Sequence, residues 1–155
     1  MARYRTSIDS TLAPASAFAT LADFSSAERW DPGVREARRL DDGAIAVGSR
    51  FHVVSRFAGR DIPLEYVIVE LEAPSTVVLR AESSTVVSLD TITFEASATG
   101  SVVTYDADLR LKGVLRLFDP LLALAFRRIG DNARDGLRTV LQAQAEPLRM
   151  TGSTA

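Results

Sequence analysis

Between residues 48 and 112 the chain reads as one strand after another with nothing helical between them, and from 114 to about 144 the apolar period changes from two residues to three or four. A strand meander followed by one long helix argues against a parallel sheet, because parallel neighbours need long crossover connections. Phe51, Val53, Ser55 and Phe57 share one face of a strand opened by Gly48 and Ser49, and Gly59-Arg60-Asp61 turns it into a long strand over 62–72. Ala73-Pro74-Ser75 separates that strand from the next, over 76–83. Two more strands, 86–96 and 102–112, flank a break at Ala98-Thr99-Gly100. In the last of them Val103, Tyr105, Ala107, Leu109 and Leu111 alternate with Thr104, Asp106, Asp108 and Arg110, so one face is apolar and the other polar.

The segment before the meander supplies two more strands and little helix. Residues 3–10 alternate, with Tyr4, Thr6 and Ile8 on one face and Arg3, Arg5, Ser7 and Asp9 on the other. Pro14 suits the first turn of a short helix in which Ala17, Phe18, Leu21 and Ala22 recur at helical spacing, and a second turn-length helix fits 25–29. Trp30-Asp31-Pro32-Gly33 ends it, and a strand over 34–40 runs to the Asp41-Asp42-Gly43 turn. In the long helix Phe118, Leu122, Ala125, Ile129, Ala133, Gly136, Leu137 and Val140 form one stripe, Pro120 starts or kinks it, and Asp119 suits the cap. The fold class expected is therefore α+β, a curved seven-stranded antiparallel sheet around a long C-terminal helix, with two short helices after strand 1.

Such a sheet coils, and one helix laid across its concave side covers only part of it. No other helix in the sequence is long enough to fill the remainder, so the expectation is an apolar cavity. Its expected lining is Phe51, Val53, Phe57, Leu79, Ala107 and Leu109 from the strands and Phe118, Leu122, Phe126 and Ile129 from the helix, with Trp30, Tyr66 and Tyr105 as aromatic contributors.

Composition closes off several function classes. With 155 residues and 46% of them apolar, the chain can build one sizeable core, expected over 1–148 with a flexible tail at 149–155. A formal charge of -2 and no long run of like charge give no field to gather nucleic acid. There is no Cys and one His, so neither a thiolate nucleophile nor a metal site is supported, and no cofactor is expected. The opening residues interleave Ser, Asp and Thr and do not read as a secretory signal. The most apolar stretch is broken by Arg116, Asp119 and Pro120, so stable membrane insertion is not expected and a cytoplasmic location is.

Few side chains offer chemistry. Tyr66 and Tyr105 are candidates for orienting or protonating a ligand, although a buried phenol bonded within the protein is the commoner arrangement. Asp90, flanked by Leu89 and Ile92, is the third; facing inward it would carry a raised pKa, and it can equally face solvent. Trp30 reads as a packing anchor, Asp31 as a turn residue and Arg60-Asp61 as a solvated pair. His52 alternates with Phe51 and Val53 and so points away from the cavity face. Residues 114–126 are apolar around most of the helix, so Leu117, Leu121 and Leu124 call for cover from the early helices, a dimer partner, or a ligand or membrane surface, in that order.

Several weak signals fall in one order: Pro14 and Phe18, Leu21-Ala22-Asp23-Phe24, Trp30-Asp31-Pro32-Gly33-Val34, Val47-Gly48-Ser49-Arg50-Phe51, Glu72-Ala73-Pro74, and Leu111-Lys112-Gly113 before a long helix. In this the chain resembles the polyketide cyclase/dehydratase and lipid-transport superfamily, SRPBCC, from about residue 4 to 141. The resemblance implies the START-like helix-grip fold and an internal hydrophobic cavity. Three functions are then in contention: binding or carriage of a lipid, isoprenoid, quinone or polyketide-like molecule; a cyclase or dehydratase in which Tyr66, Tyr105 or Asp90 acts on such a molecule; and a homodimeric interaction module with little internal void.

Overall fold

The computed structural model describes residues 2–57 and 59–143. The expected tail at 149–155, and the expected domain end at 148, lie outside them. Seven strands form one antiparallel sheet: β1 (Ala2–Ser10), β2 (Val34–Arg39), β3 (Arg50–Phe57), β4 (Arg60–Glu72), β5 (Thr76–Glu82), β6 (Val86–Ser97) and β7 (Gly100–Leu111). Their spatial order is β1-β7-β6-β5-β4-β3-β2. Each strand from β2 to β7 pairs with its sequence neighbour, as short turns require, while β1 crosses to the far edge and pairs with β7 from Ala2↔Leu109 to Ser10↔Ser101. Bulges between Val34 and Glu36 in β2 and between Ile68 and Glu70 in β4 bend the sheet locally.

The β6–β7 hairpin depends on Gly100. Its φ is 148°, and a Cβ there would stand 2.4 Å from the Ser10 carbonyl oxygen, so both the backbone conformation and the space at the end of β1 require a residue without a side chain. On the outer face, Arg3 donates two hydrogen bonds to the Asp106 carboxylate at 3.0 and 2.6 Å, Arg50 pairs with Glu65, and Lys112 with Glu82. Exposed pairs of this kind contribute about 0–1 kcal/mol each. They mark the solvent side, and stability comes from the other face, where Ile8, Phe51, Ile68, Leu79, Ile92 and Val103 are almost fully buried.

Helices α1 (Pro14–Ala22) and α2 (Ala27–Trp30), separated by a 3-10 turn at Phe24–Ser26, close one end of the concave side. The long helix α3 (Asp119–Ala143) crosses it. Two glycines let α3 come close: a Cβ on Gly130 would lie 2.4 Å from the Tyr4 ring, and one on Gly136 would lie 1.7 Å from the Trp30 carbonyl oxygen. Tyr4 also donates through its hydroxyl to Asp131 at 2.8 Å.

The helix departs from expectation at its start. Residues Gly113–Phe118 form a 3-10 helix in which nothing is buried, and α3 begins at Asp119, already helical, with Pro120 in its first turn. A 3-10 turn has three residues per turn, so Phe118 falls off the stripe that continues from Leu122, and it is 55% exposed. The inward stripe is Leu122, Phe126, Ile129, Ala133, Leu137 and Leu141, with Ala125 exposed. The early helices do not cover Leu117, Leu121 and Leu124, which are 84%, 67% and 71% exposed. Among the described residues no helix is long and apolar enough to cross a membrane.

Candidate functional site

A cavity of about 320 Å³ lies between the concave face of the sheet and α3. The two-residue period of the strands aims its lining: Val53 and Phe57 from β3, Leu64 and Tyr66 from β4, Ser88 and Asp90 from β6, and Tyr105, Ala107 and Leu109 from β7. Leu115, Leu122, Phe126 and Ile129 complete it from the opposite side. Apolar groups dominate this wall, as they do in small-molecule sites. A purely dimeric module with little internal void does not fit this geometry.

Four of the residues expected to line the void lie elsewhere. Trp30, Phe51 and Leu79 are fully buried in the core and do not reach the cavity. For Trp30 and Phe51 the reason is aromatic: Phe24, on the short turn between α1 and α2, packs against Trp30, Phe51 and Tyr66 with ring centroids 6.1, 6.3 and 5.0 Å apart, and so covers that end of the concave face. Trp30 also meets Tyr105 edge-on at 5.7 Å, with its Nε1 donating to Ser26 Oγ at 3.3 Å. Phe118 is the fourth, for the helical reason given above. His52 and Arg80 face away from the core, as the alternation requires.

The polar groups converge at one place. Tyr66 donates through its hydroxyl to Ser88 Oγ at 3.1 Å, Ser88 Oγ donates to Asp90 Oδ1 at 3.0 Å, and the Tyr105 hydroxyl donates to Asp90 Oδ2 at 2.7 Å. Asp90 is only 3% exposed. Burial pushes its carboxyl up to about 6, with the nearby Asp31 charge adding to the rise and the hydrogen bonds from Tyr105 and Ser88 opposing it. Burial, and then the charge of Asp90, hold the Tyr66 and Tyr105 phenols well above their ordinary value. Asp31, also on the cavity wall, is raised by burial against the opposing pull of the Gly33 N–H, which donates to its Oδ1 at 2.8 Å. Among the described residues neither Asp31 nor Asp90 has an ion-pair partner.

Sequence reasoning names Tyr66, Asp90 and Tyr105 but misses Ser88, which links them. The signal was present, because Val86, Ser88, Asp90, Ile92 and Phe94 share one face of β6. Leu89, read as an apolar flank of Asp90, points the other way and is 40% exposed.

A family model described as polyketide cyclase / dehydrase and lipid transport matches residues 1–142. Among solved structures, TTHA0849 from Thermus thermophilus superposes with a TM-score of 0.71 at 13% identity, covering 98% of this chain and 99% of that one. A START superfamily protein from Mycobacterium smegmatis gives 0.70 at 9% identity over 94% and 98% of the two chains. The di-domain ARO/CYC StfQ from the steffimycin biosynthetic pathway gives 0.68 at 12% identity, over 92% of this chain and 52% of that one. At these identities the likeness is one of fold. A comparison with curated proteins finds no match.

Proposed function

Because this chain belongs to the polyketide cyclase / dehydrase and lipid transport family, we propose that it binds a hydrophobic small molecule, of lipid, isoprenoid, quinone or polyketide-like type, in the cavity under α3. The observation that carries this reading is the cavity itself: a volume of about 320 Å³ walled by Val53, Phe57, Leu64, Leu109, Leu122 and Phe126. A void of that size costs stability when empty, roughly 20 cal/mol for each Å² of its surface, so a protein that keeps one gains when a ligand fills it. Carriage in the cytoplasm needs nothing more than this apolar lining.

A second reading, an enzyme of the cyclase or dehydratase type, draws on Tyr66, Ser88, Asp90 and Tyr105 meeting on one stretch of the cavity wall. A carboxyl with a pKa of about 6 is suited to taking up and returning a proton near neutral pH. In that reading Asp90 moves the proton and Tyr105 positions it. Turnover of an aromatic polyketide by the wild-type protein, lost in Asp90→Ala, is the result that separates catalysis from binding.

Filling the cavity tests the first reading. Ala107 is 5% exposed and lies on the cavity wall between Tyr105 and Leu109. Ala107→Trp is expected to leave the protein folded at a cost of about 1–3 kcal/mol, while affinity for the apolar fluorophore diphenylhexatriene falls about tenfold or more. Titration of the fluorophore into both proteins measures this. Unchanged affinity in a folded variant places the binding site elsewhere.

A further inference from the structure

We infer that the cavity selects ligands whose buried end is a hydrogen-bond donor, a phenolic or alcoholic hydroxyl, and rejects ligands that end in a carboxylate or a ketone. The inference rests on the cavity being the ligand site and specifies which chemical class enters it. It follows from counting donors and acceptors. A phenol has one O–H to give, and so has a serine. Tyr66 gives its proton to Ser88, Ser88 gives its own to Asp90 Oδ1, and Tyr105 gives its own to Asp90 Oδ2. Every donor in the network is thus spent inside it. What remains for a ligand is acceptor capacity alone: the second lone pairs of the two Asp90 oxygens and the free lone pairs of the phenol oxygens. Asp31, whose Oδ1 accepts from the Gly33 N–H, adds further acceptors to the same wall.

Beyond this cluster and Asp31, the polar side chains on the lining are Ser55, Arg56 and Thr85 and the rest are apolar, so a polar ligand group buried at the cluster that finds no partner there forfeits its hydration without return. A hydroxyl placed at Asp90 makes a charge-assisted hydrogen bond, the stronger kind. A ketone oxygen at the same place faces only lone pairs. A carboxylate placed there faces them too, together with the Asp90 charge, which is ion-paired to no cation among the described residues; the cation on the cavity lining, Arg56, is an exposed residue of β3 and serves a ligand's outer end.

A series of probes that share one apolar body tests this directly: 2-naphthol, 2-acetylnaphthalene and 2-naphthoate, titrated at neutral pH into the wild-type protein and into Asp90→Asn. The expected result is that 2-naphthol binds the wild-type protein about tenfold or more tightly than either of the others, the ratio that one satisfied polar group produces. Asn keeps the shape of Asp but brings an NH₂ donor, so in Asp90→Asn the preference for 2-naphthol over 2-acetylnaphthalene is expected to shrink to about threefold or less. Equal binding of all three probes to the wild-type protein would overturn the donor inference and leave the cavity reading standing. Tightest binding of 2-naphthoate, or a preference unchanged in Asp90→Asn, overturns it as well. Failure of all three to bind overturns the cavity reading itself. The wild-type series stands without the variant, so a misfolded Asp90→Asn does not remove the test.

Discussion

Gly136→Ala is expected to lose about 2 kcal/mol or more of folding stability, although alanine is the better helix former. Intrinsic propensity favours the substitution by about 1 kcal/mol. Against it stands the Trp30 backbone: the new Cβ would be 1.7 Å from the Trp30 carbonyl oxygen, 2.7 Å from its carbon and 3.2 Å from its Cα. None of these atoms belongs to a side chain that can swing aside. The Trp30 indole is itself locked between Phe24 and Tyr105, so α2 cannot easily yield. The helix must move instead, pulling Leu137 and Leu141, both completely buried, out of register with the core. Gly130→Ala meets the Tyr4 ring at 2.4 Å, which is a side chain, and is expected to cost less. Urea unfolding of the two variants beside the wild type measures the difference. An unchanged or raised midpoint for Gly136→Ala would mean that α3 is not held where the structure puts it.

Asp90→Asn is expected to gain stability relative to the wild-type protein as pH rises from acid to neutral. The folded protein holds the Asp90 proton to a pKa of about 6, against an ordinary value of 3.8, mainly because burial penalises the charged form. A group whose pKa is raised by folding contributes its stability fully below the unfolded value and loses it as pH rises through the folded value. For Asp90 that window runs from about 4 to 6, and a shift of about 2 units corresponds to about 3 kcal/mol. Asp41, Glu82 and Asp106 have lowered values and slope the opposite way, so the wild-type curve alone mixes the signs. The difference between variant and wild type isolates the buried group. Facing it are Tyr105 from β7, Ser88 from β6, Tyr66 from β4 and Asp31 beyond α2, and the substitution leaves all four in place. That difference is expected to grow by about 2–3 kcal/mol in favour of Asn between pH 4 and pH 7. A flat difference across this range would show that Asp90 is not buried as a carboxylate.

The strands were legible because a period of two leaves one choice of face, and a single-residue slip would have turned Arg80 and Arg110 inward. The same logic puts Tyr66, Tyr105, Ala107 and Leu109 on the concave face, where all four line the cavity. Trp30 and Phe51 stand off the cavity wall for a different reason. The inward face of Phe51 follows from its period and Trp30 reads as a packing anchor, but which part of a concave face stays open depends on what packs over it, and the packing of Phe24 onto Phe51 and Tyr66 joins residues far apart in sequence. Periodicity carries no record of such contacts. The start of the long helix failed similarly, since Val114, Leu117 and Phe118 fit helical spacing and a 3-10 turn competes with an α turn by only a few hydrogen bonds. Ser88 is a third kind of miss, a small hydroxyl that becomes informative only once Tyr66 and Asp90 are seen on either side of it.

The two walls of the cavity differ in compliance. Strands β3, β4, β6 and β7 are each hydrogen-bonded to neighbours on both edges, so that wall resists displacement by breaking ladders on either side. The facing wall is fastened mainly along its far half: Ala133, Leu137 and Leu141 bury that part of α3, whereas toward its start Leu122 is the buried side chain, residues 113–118 contain none, and Leu117, Leu121 and Leu124 stand in solvent. Few buried contacts mean a small free energy for local opening. The cavity therefore has a stiff side that fixes the position of the Asp90 network and an elastic side that sets how large a body can rest against it. Its chemical selectivity and its size tolerance are consequently properties of different parts of the chain, and each can change without the other.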